Sequence, residues 1–164
     1  MLLAASCATI GWASGAWTAF KSAHGKFSVS LPSAPMTMKI PLEVKGVKLE
    51  LNMIAARDTA ESFYTVAYCD LPADKVASSE PETILDRFVG GIQKNMKGEV
   101  LSNRSIMLKN VPGREFTIRK DDGKIALARV YYRNARIYQV MMLLETGKPV
   151  PAELDRFFES FRIL

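Results

Sequence analysis

The sequence predicts one α+β domain in which an antiparallel β-sheet is covered by helices, and three observations support this prediction. Apolar and polar residues alternate in several segments, one long segment between them has helical periodicity, and a second helical pattern lies near residue 160. Strands that precede and follow one long helix are typical of antiparallel α+β folds, not of βαβ repeats. The chain has 164 residues, 48% of them hydrophobic, which suits a single domain over residues 16–164.

Four segments of the first half are predicted strands, because apolar residues alternate with polar ones and turn residues bound them. They are residues 26–31, 36–44, 47–57 and 63–71. The second and third of these segments flank Lys45-Gly46, a pair that suits a tight turn. We therefore expect a β-hairpin there.

A long helix is predicted after Ser78 and Ser79, whose hydroxyls suit an N-cap, with Pro81 in its first turn. Apolar residues then recur at steps of three and four and define one buried face: Ile84, Leu85, Phe88, Val89, Ile92 and Met96. Glycine destabilises a helix interior, so the adjacent pair Gly90-Gly91 needs a reason. We expect that the missing side chains allow the helix to approach the sheet closely. Gly98 predicts the end of this helix.

The second half is rich in strand patterns and ends in a short helix. The predicted strands are residues 100–108, 114–120, 125–133 and 136–144. Asp121-Asp122-Gly123 and Asn134-Ala135 are predicted turns between them. After Pro151, the apolar positions have helical spacing and must dock on the sheet: Leu154, Phe157, Phe158 and Phe161.

Residues 1–15 are predicted to be a signal peptide. No charged side chain precedes Lys21, and residues 1–12 are apolar or small but too few to cross a bilayer. Ala13 and Gly15 are small residues at the −3 and −1 positions of a cleavage site before Ala16. An N-terminal helix packed on the domain is the alternative. A lipid anchor at Cys7 is a weaker alternative, because Ala4 stands where a lipobox has leucine.

Removal of residues 1–15 would leave Cys69 as the only cysteine, so the mature domain is expected to fold without a disulfide. The strand-like surroundings of Cys69 predict a small buried apolar residue rather than a nucleophile. These features together predict an exported protein, periplasmic or extracellular, whose fold depends on its core alone.

Several short motifs occur at the starts and ends of predicted elements. They are GKFSV (25–29), LP (31–32), VPGREF (111–116), RIYQV (136–140) and FFESF (157–161). With the order of elements, they resemble the PsbP/Mog1-like α/β/α sandwich and its exported bacterial relatives, over residues 17–164. The resemblance implies the fold, and it implies partner binding in general, because the named members bind a photosystem or a small GTPase. None of their functional residues maps onto this chain.

The residue types needed for most catalytic or metal sites are scarce. A single histidine, His24, and one mature cysteine cannot supply a transition-metal site, and we expect His24 in an exposed turn. No GxSxG elbow or phosphate-binding loop occurs. Acidic pairs such as Asp121-Asp122 and Glu153 with Asp155 could in principle bind calcium or do acid–base work, but turns and helix N-termini explain them better. We therefore predict no catalytic residue, metal or cofactor.

Two polar arrangements on predicted strands stand out. Alternation turns one of Arg114 and Glu115 inward, and we expect Glu115 to pair with Arg129 across strands. The late hairpin also gathers basic and aromatic residues near Asn134-Ala135, which we predict to be solvent-accessible and to contact an acidic partner: Arg129, Tyr131, Arg133, Arg136 and Tyr138. A solvated sheet end with no partner is the alternative.

The function predicted from these observations is a non-enzymatic binding or accessory domain outside the cytoplasm, with a protein partner. An enzyme, such as a hydrolase with an unrecognised carboxylate site, is the first alternative. A nucleic-acid-binding module is the second, suggested only by the net charge of +5. The lysines and arginines are spread along the chain and not clustered in runs, and export argues against a nucleic-acid ligand.

Overall fold

The computed structural model describes residues 17–44 and 46–164. The predicted signal peptide, its cleavage site and Cys7 lie outside the described residues, as does Lys45 of the first predicted turn. The strands are β1 (Thr18–Ser22), β2 (Phe27–Leu31), β3 (Met36–Val44), β4 (Val47–Arg57), β5 (Phe63–Asp70), β6 (Gly98–Leu108), β7 (Val111–Lys120), β8 (Ile125–Arg133), β9 (Arg136–Leu144) and β10 (Arg162–Ile163). The helices are α1 (Ala73–Val76), α2 (Pro81–Met96) and α3 (Glu153–Ser160).

Seven of the strands form one antiparallel sheet in the order β3-β4-β5-β9-β8-β7-β6. Hairpins formed by consecutive strands account for most of the pairings, as the alternation in the sequence predicts. The two halves of the chain meet where β5 pairs with β9, from Phe63 opposite Leu143 to Asp70 opposite Arg136. The long helix between these halves therefore does not interrupt the sheet.

Helices and a small second sheet cover the two faces of the large sheet. On one face, α2 packs on β6, β7 and β8, where Leu85 and Val89 meet Phe116 and Ile118. On the other face lie α3 and a three-stranded sheet of order β1-β2-β10. This arrangement confirms the predicted α+β class with a helix-covered antiparallel sheet.

The late hairpin ends in the predicted two-residue turn. Asn134 and Ala135 have φ values of 51° and 58°, the left-handed conformation at both central positions that a type I′ turn requires. The Ala135 carbonyl accepts a hydrogen bond from the Leu71 amide at 2.7 Å. This bond ties the turn to the chain that leaves β5, so the hairpin end is fixed in place.

The details of α2 differ from three predictions. No side chain caps its N-terminus, where Glu80 and not a serine is the capping residue. A Cβ added to Gly90 or Gly91 would meet no atom within 4 Å, so these glycines do not serve a close approach to the sheet. The left-handed residue that ends α2 is Lys97, with φ 49°. Gly98 begins β6, where a Cβ would lie 2.7 Å from the Arg119 carbonyl oxygen.

The burial predicted for the phenylalanines of the last helix and for Cys69 is confirmed. Phe157, Phe158 and Phe161 are buried and join the core on the face covered by α3. Cys69 is 3% exposed, and burial raises the pKa of its thiol. The thiol is therefore a packing group and a poor nucleophile.

Candidate partner-binding surface

The five hairpin residues singled out in the sequence lie on one face of the sheet. The β8–β9 register places Tyr131 opposite Tyr138 and Arg133 opposite Arg136, and residues directly opposite in an antiparallel pair share a face. Arg129 lies two residues before Tyr131 on the same face. This is the face covered by α3 and the small sheet, so the predicted grouping is present.

The predicted exposure is wrong for the two tyrosines, because each residue is only 3% exposed and its ring packs in the core. The Tyr131 ring stacks on Phe161, with centroids 5.8 Å apart and planes 11° apart. The Tyr138 ring lies 6.0 Å from Phe161 and 6.5 Å from Phe27. A tyrosine can bury its large apolar ring while its hydroxyl keeps a polar neighbour. Here the gain from packing the two rings exceeds the cost of removing their hydroxyls from bulk water.

Arg129 is part of an ion-pair cluster. Its Nε lies 2.7 Å from Glu115 Oε2, and its guanidinium lies 4.7 Å above the Phe158 ring. Arg104 of β6 binds the other oxygen of Glu115 through Nε at 2.8 Å. Burial opposes ionisation of Glu115, but the hydrogen bonds from the two arginines outweigh it and lower the pKa of this carboxyl. The predicted pair of Glu115 with Arg129 is confirmed.

Arg136 is also compensated by an ion pair, and it is only partly exposed. Its Nε and Nη2 lie 2.5 and 2.8 Å from the two carboxylate oxygens of Asp70, and its Nη1 donates to the His24 carbonyl at 3.1 Å. The guanidinium also lies 4.9 Å from the centre of the Tyr68 ring. The hydrogen bonds from Arg136 lower the pKa of Asp70. The pairing of β5 with β9 brings Asp70 opposite Arg136 and makes this bidentate contact.

Arg133 differs from both, because it is exposed at the end of β8 and faces a small recess. The recess has a volume of about 30 Å³ and lies between the β6–β7 turn, the end of β8 and β10. Two further cations line it, Lys109 and Arg162. We call the three residues Lys109, Arg133 and Arg162 the basic recess. None of the ion pairs formed within residues 17–44 and 46–164 includes any of them.

Sequence reasoning missed Lys109 and Arg162. Lys109 lies in a two-residue turn with Asn110, and Arg162 belongs to a two-residue strand after the last helix. The Lys-Asn pair is a turn signal, but only the tertiary structure shows that this turn and β10 lie beside Arg133.

Several carboxylates elsewhere are held by cations or backbone amides. Arg114, 8% exposed, binds Asp86 at 2.9 Å and also Glu82, which are both on α2. Asp122 binds Lys120 at 3.0 Å and accepts the Lys124 amide at 3.2 Å, in the predicted Asp-Asp-Gly turn. Within the described ranges, no three of the His, Cys, Asp and Glu side chains are grouped to hold a metal ion.

A larger groove lies away from these residues, between β1 and the β3–β4 hairpin. Its volume is about 410 Å³, and it is lined by Phe20, Ser22, Thr37, Met38, Lys39, Asn52, Met53, Ile54 and Tyr68. Lys39 pairs with Glu50 at 2.9 Å, so its charge is compensated. His24 is exposed in the turn after β1, as predicted, with its ring 6.2 Å from that of Tyr68. Of the helices described here, none has the length and apolar character needed to span a membrane.

Comparison with known proteins identifies the fold but does not identify a binding surface. No protein-family model and no curated protein matches the sequence. Among solved structures, the chain is similar to the solution structure of cyanobacterial PsbP (CyanoP) from Synechocystis sp. PCC 6803, with a TM-score of 0.61 and 17% identity over 98% of both chains. The predicted resemblance is thereby confirmed at the level of architecture: the chain has a PsbP-like fold.

Proposed function

We propose that this chain is a non-enzymatic accessory domain that works outside the cytoplasm and binds an acidic protein partner through the basic recess. The observation that carries the proposal is the convergence of Lys109, Arg133 and Arg162 on one recess, where none of the three forms an ion pair with a carboxylate of the described residues. Like charges held together repel one another, and an anionic group from a partner would relieve that repulsion.

The arginines beside the recess make the contrast sharper. Arg129 and Arg136 lie on the same sheet face, yet each has an acidic neighbour, Glu115 or Asp70, at hydrogen-bonding distance. At this end of the molecule the positive charges of Arg129 and Arg136 are neutralised within the chain, so the uncompensated positive charge is concentrated at the basic recess. A local concentration of positive charge such as the basic recess attracts an acidic partner during association and favours one orientation of it.

An enzyme built on carboxylates is the second candidate, and the ionisation of the acidic residues speaks against it. A general acid needs a raised pKa so that it holds its proton near neutral pH. Hydrogen bonds from Arg136 and Lys120 lower the pKa of Asp70 and Asp122 respectively, and Glu115 is lowered as well. These three carboxyls are suited to ion pairing.

Work outside the cytoplasm follows from the proposed signal peptide at residues 1–15. Intact-mass measurement on protein from an extracytoplasmic fraction of the native host should give a chain that begins at Ala16. Recovery of the full-length chain from the cytoplasm alone would contradict export. This measurement does not depend on the binding surface.

The binding proposal is tested by affinity capture from the same fraction, with Lys109→Glu/Arg133→Glu as the recess variant. Lys94→Glu/Arg87→Glu is the matched control, since it reverses two exposed charges of α2 on the opposite face of the sheet. We expect the parent and the control to capture the same protein, and the recess variant to lose at least tenfold of it. Equal capture by all three proteins would reject the recess as the binding surface.

A further inference from the structure

The guanidinium of Arg162 is held in place by the backbone around it. Its Nη1 donates to the Phe161 carbonyl at 2.7 Å and also to the Glu159 carbonyl. The backbone of Arg162 is fixed in turn, because β10 pairs with β2 and the Leu164 amide bonds to the Lys26 carbonyl at 2.9 Å. No described residue accepts a hydrogen bond from its Nε or Nη2. Arg162 therefore offers two oriented donors on a fixed base.

The walls of the recess are apolar where its rim is charged. Leu108, Val111 and Ile163 line it beside the three cations, and Val111 is 6% exposed. Apolar walls displace water and strengthen an ion pair formed between them. The same walls can contact the methylene groups of an acidic side chain.

The small volume of the recess means that only a few atoms of a ligand can lie inside it. A space of about 30 Å³ holds one or two water molecules, and the two oxygens of a carboxylate need a similar space. A phosphate, with four oxygens around one centre, is bulkier. A planar carboxylate also matches the paired donors of a guanidinium.

From these observations we propose that the basic recess binds one glutamate side chain of an acidic segment of the partner, with Arg162 as the orienting donor and Lys109 and Arg133 as flanking charges. This inference rests on the proposed function and makes it specific. It assigns roles to Lys109 and Arg162 that the sequence did not suggest.

The test is an NMR titration of the ¹⁵N-labelled protein with an N-acetylated, C-amidated hexaglutamate peptide. Hexaglutamine, inorganic phosphate and a DNA hexanucleotide are run in parallel as competing ligand classes. We expect saturable shifts at the Lys109 and Asn110 amides and at Arg133 and Arg162 with hexaglutamate alone. Shifts with phosphate or DNA of the same size would overturn the assignment to carboxylate, and shifts spread over the whole surface would overturn the recess.

Variants separate orientation from charge. Arg162→Lys keeps the charge but loses the paired donors, so we expect its dissociation constant for hexaglutamate to rise about fivefold, which corresponds to roughly 1 kcal/mol. Arg133→Gln removes one charge of the recess and leaves the hydrogen bonds of Arg162 and the pairing of β10 intact. It therefore tests the site even if Arg162 variants fold poorly. Lys94→Gln is the control. Unchanged affinity in Arg133→Gln would reject the proposal.

The two proposals fail in different ways. Loss of hexaglutamate binding with intact, recess-dependent capture of a partner would mean that the partner uses a chemistry other than a glutamate side chain. Hexaglutamate binding in the recess, with partner capture unaffected by Lys109→Glu/Arg133→Glu, would reject the proposed function and leave the carboxylate site standing.

Discussion

Arg136 and Arg133 face each other across the last pair of the late hairpin, yet their environments are opposite. Arg136 binds both oxygens of Asp70 and a backbone carbonyl, and its side chain is 16% exposed. Arg133 is exposed and forms no ion pair with the described residues. The adjacent strand causes the difference, because β5 ends with Asp70 opposite Arg136, while β7 begins with Val111 beside Arg133.

This comparison shows that a cation of the sheet is structural or available according to the residue on the neighbouring strand. Glu115 on β7 does for Arg129 what Asp70 on β5 does for Arg136. On the other face of the sheet a helix has the same role, because Asp86 and Glu82 of α2 form ion pairs with Arg114. Compensated arginines should therefore matter for stability, and uncompensated ones for binding.

The largest expected effect is at Arg114, the most buried of the compensated arginines. Arg114→Ala should lower the free energy of unfolding by about 2 to 3 kcal/mol, because it removes the bonds to Asp86 and Ser105 and leaves a gap between α2 and the sheet. Urea unfolding measures this loss. Arg87→Ala, a change at an exposed position of α2, is the control and should lower the free energy of unfolding by less than about 0.5 kcal/mol. Similar losses in both would break the distinction.

The hairpin pair itself gives the next largest difference. Arg136→Ser should cost about 1 to 2 kcal/mol, since it removes a bidentate, half-buried ion pair and the contact with Tyr68. Arg133→Ser should change stability by less than about 0.5 kcal/mol. Thermal and urea unfolding of the two single variants decide the matter. If Arg133→Ser were the more damaging change, the assignment of roles would be reversed.

Acid pH should weaken the compensated pairs in a smaller, graded way. The pKa values of Asp70 and Glu115 are lowered in the folded state, so their contribution is complete above the ordinary carboxyl pKa of about 4. It is lost as the pH falls through the lowered values, because the unfolded chain then binds protons more readily. Both groups are partly solvated, and we expect less than about 1 kcal/mol from each.

The variant Asp70→Asn/Glu115→Gln removes these two titrations. Its free energy of unfolding should therefore fall less steeply than that of the parent between pH 5 and pH 2. Asp155→Asn is a suitable control, because Asp155 is exposed and forms no ion pair with the described residues. An unchanged pH slope in the double variant would show that other carboxyls carry the acid sensitivity.

The sequence predicted the strands, hairpins and both longer helices because alternation and helical spacing are local signals. It also predicted the pair of Glu115 with Arg129, since both lie on adjacent strands of one hairpin. The short elements α1 and β10 carry too few residues for a periodic signal. Strand β1 is as long as β2, but its side chains are exposed or only partly buried, so it lacks the alternating apolar face that marks β2. The contact of β5 with β9 joins distant segments, so the partner of Arg136 could not be read from its own surroundings.

The burial of Tyr131 and Tyr138 was mispredicted for a related reason. Alternation shows that the tyrosines share a face with the arginines, but it does not show what covers that face. Phe27 near the start of the chain and Phe161 near its end supply the cover. The basic recess has the same origin, because Lys109, Arg133 and Arg162 come together only when β10 pairs with β2.

The smallest expected effect concerns the turn that separates Arg133 from Arg136. Ala135 has φ 58°, a left-handed conformation that costs a residue with a Cβ about 1 kcal/mol relative to glycine. Ala135→Gly should relieve this strain, although glycine also gains freedom in the unfolded chain, and the net gain should be about 0.5 kcal/mol.

This substitution keeps both arginines and the hydrogen bond from the Leu71 amide to the carbonyl of residue 135. Hexaglutamate affinity should therefore stay within twofold of the parent, while the urea midpoint rises slightly. If Ala135→Gly instead weakened binding as much as Arg133→Gln, the geometry of the turn would control the recess. The uncompensated charge of Arg133 would then be insufficient to explain the site, and the contrast between the two arginines would have to include the backbone that separates them.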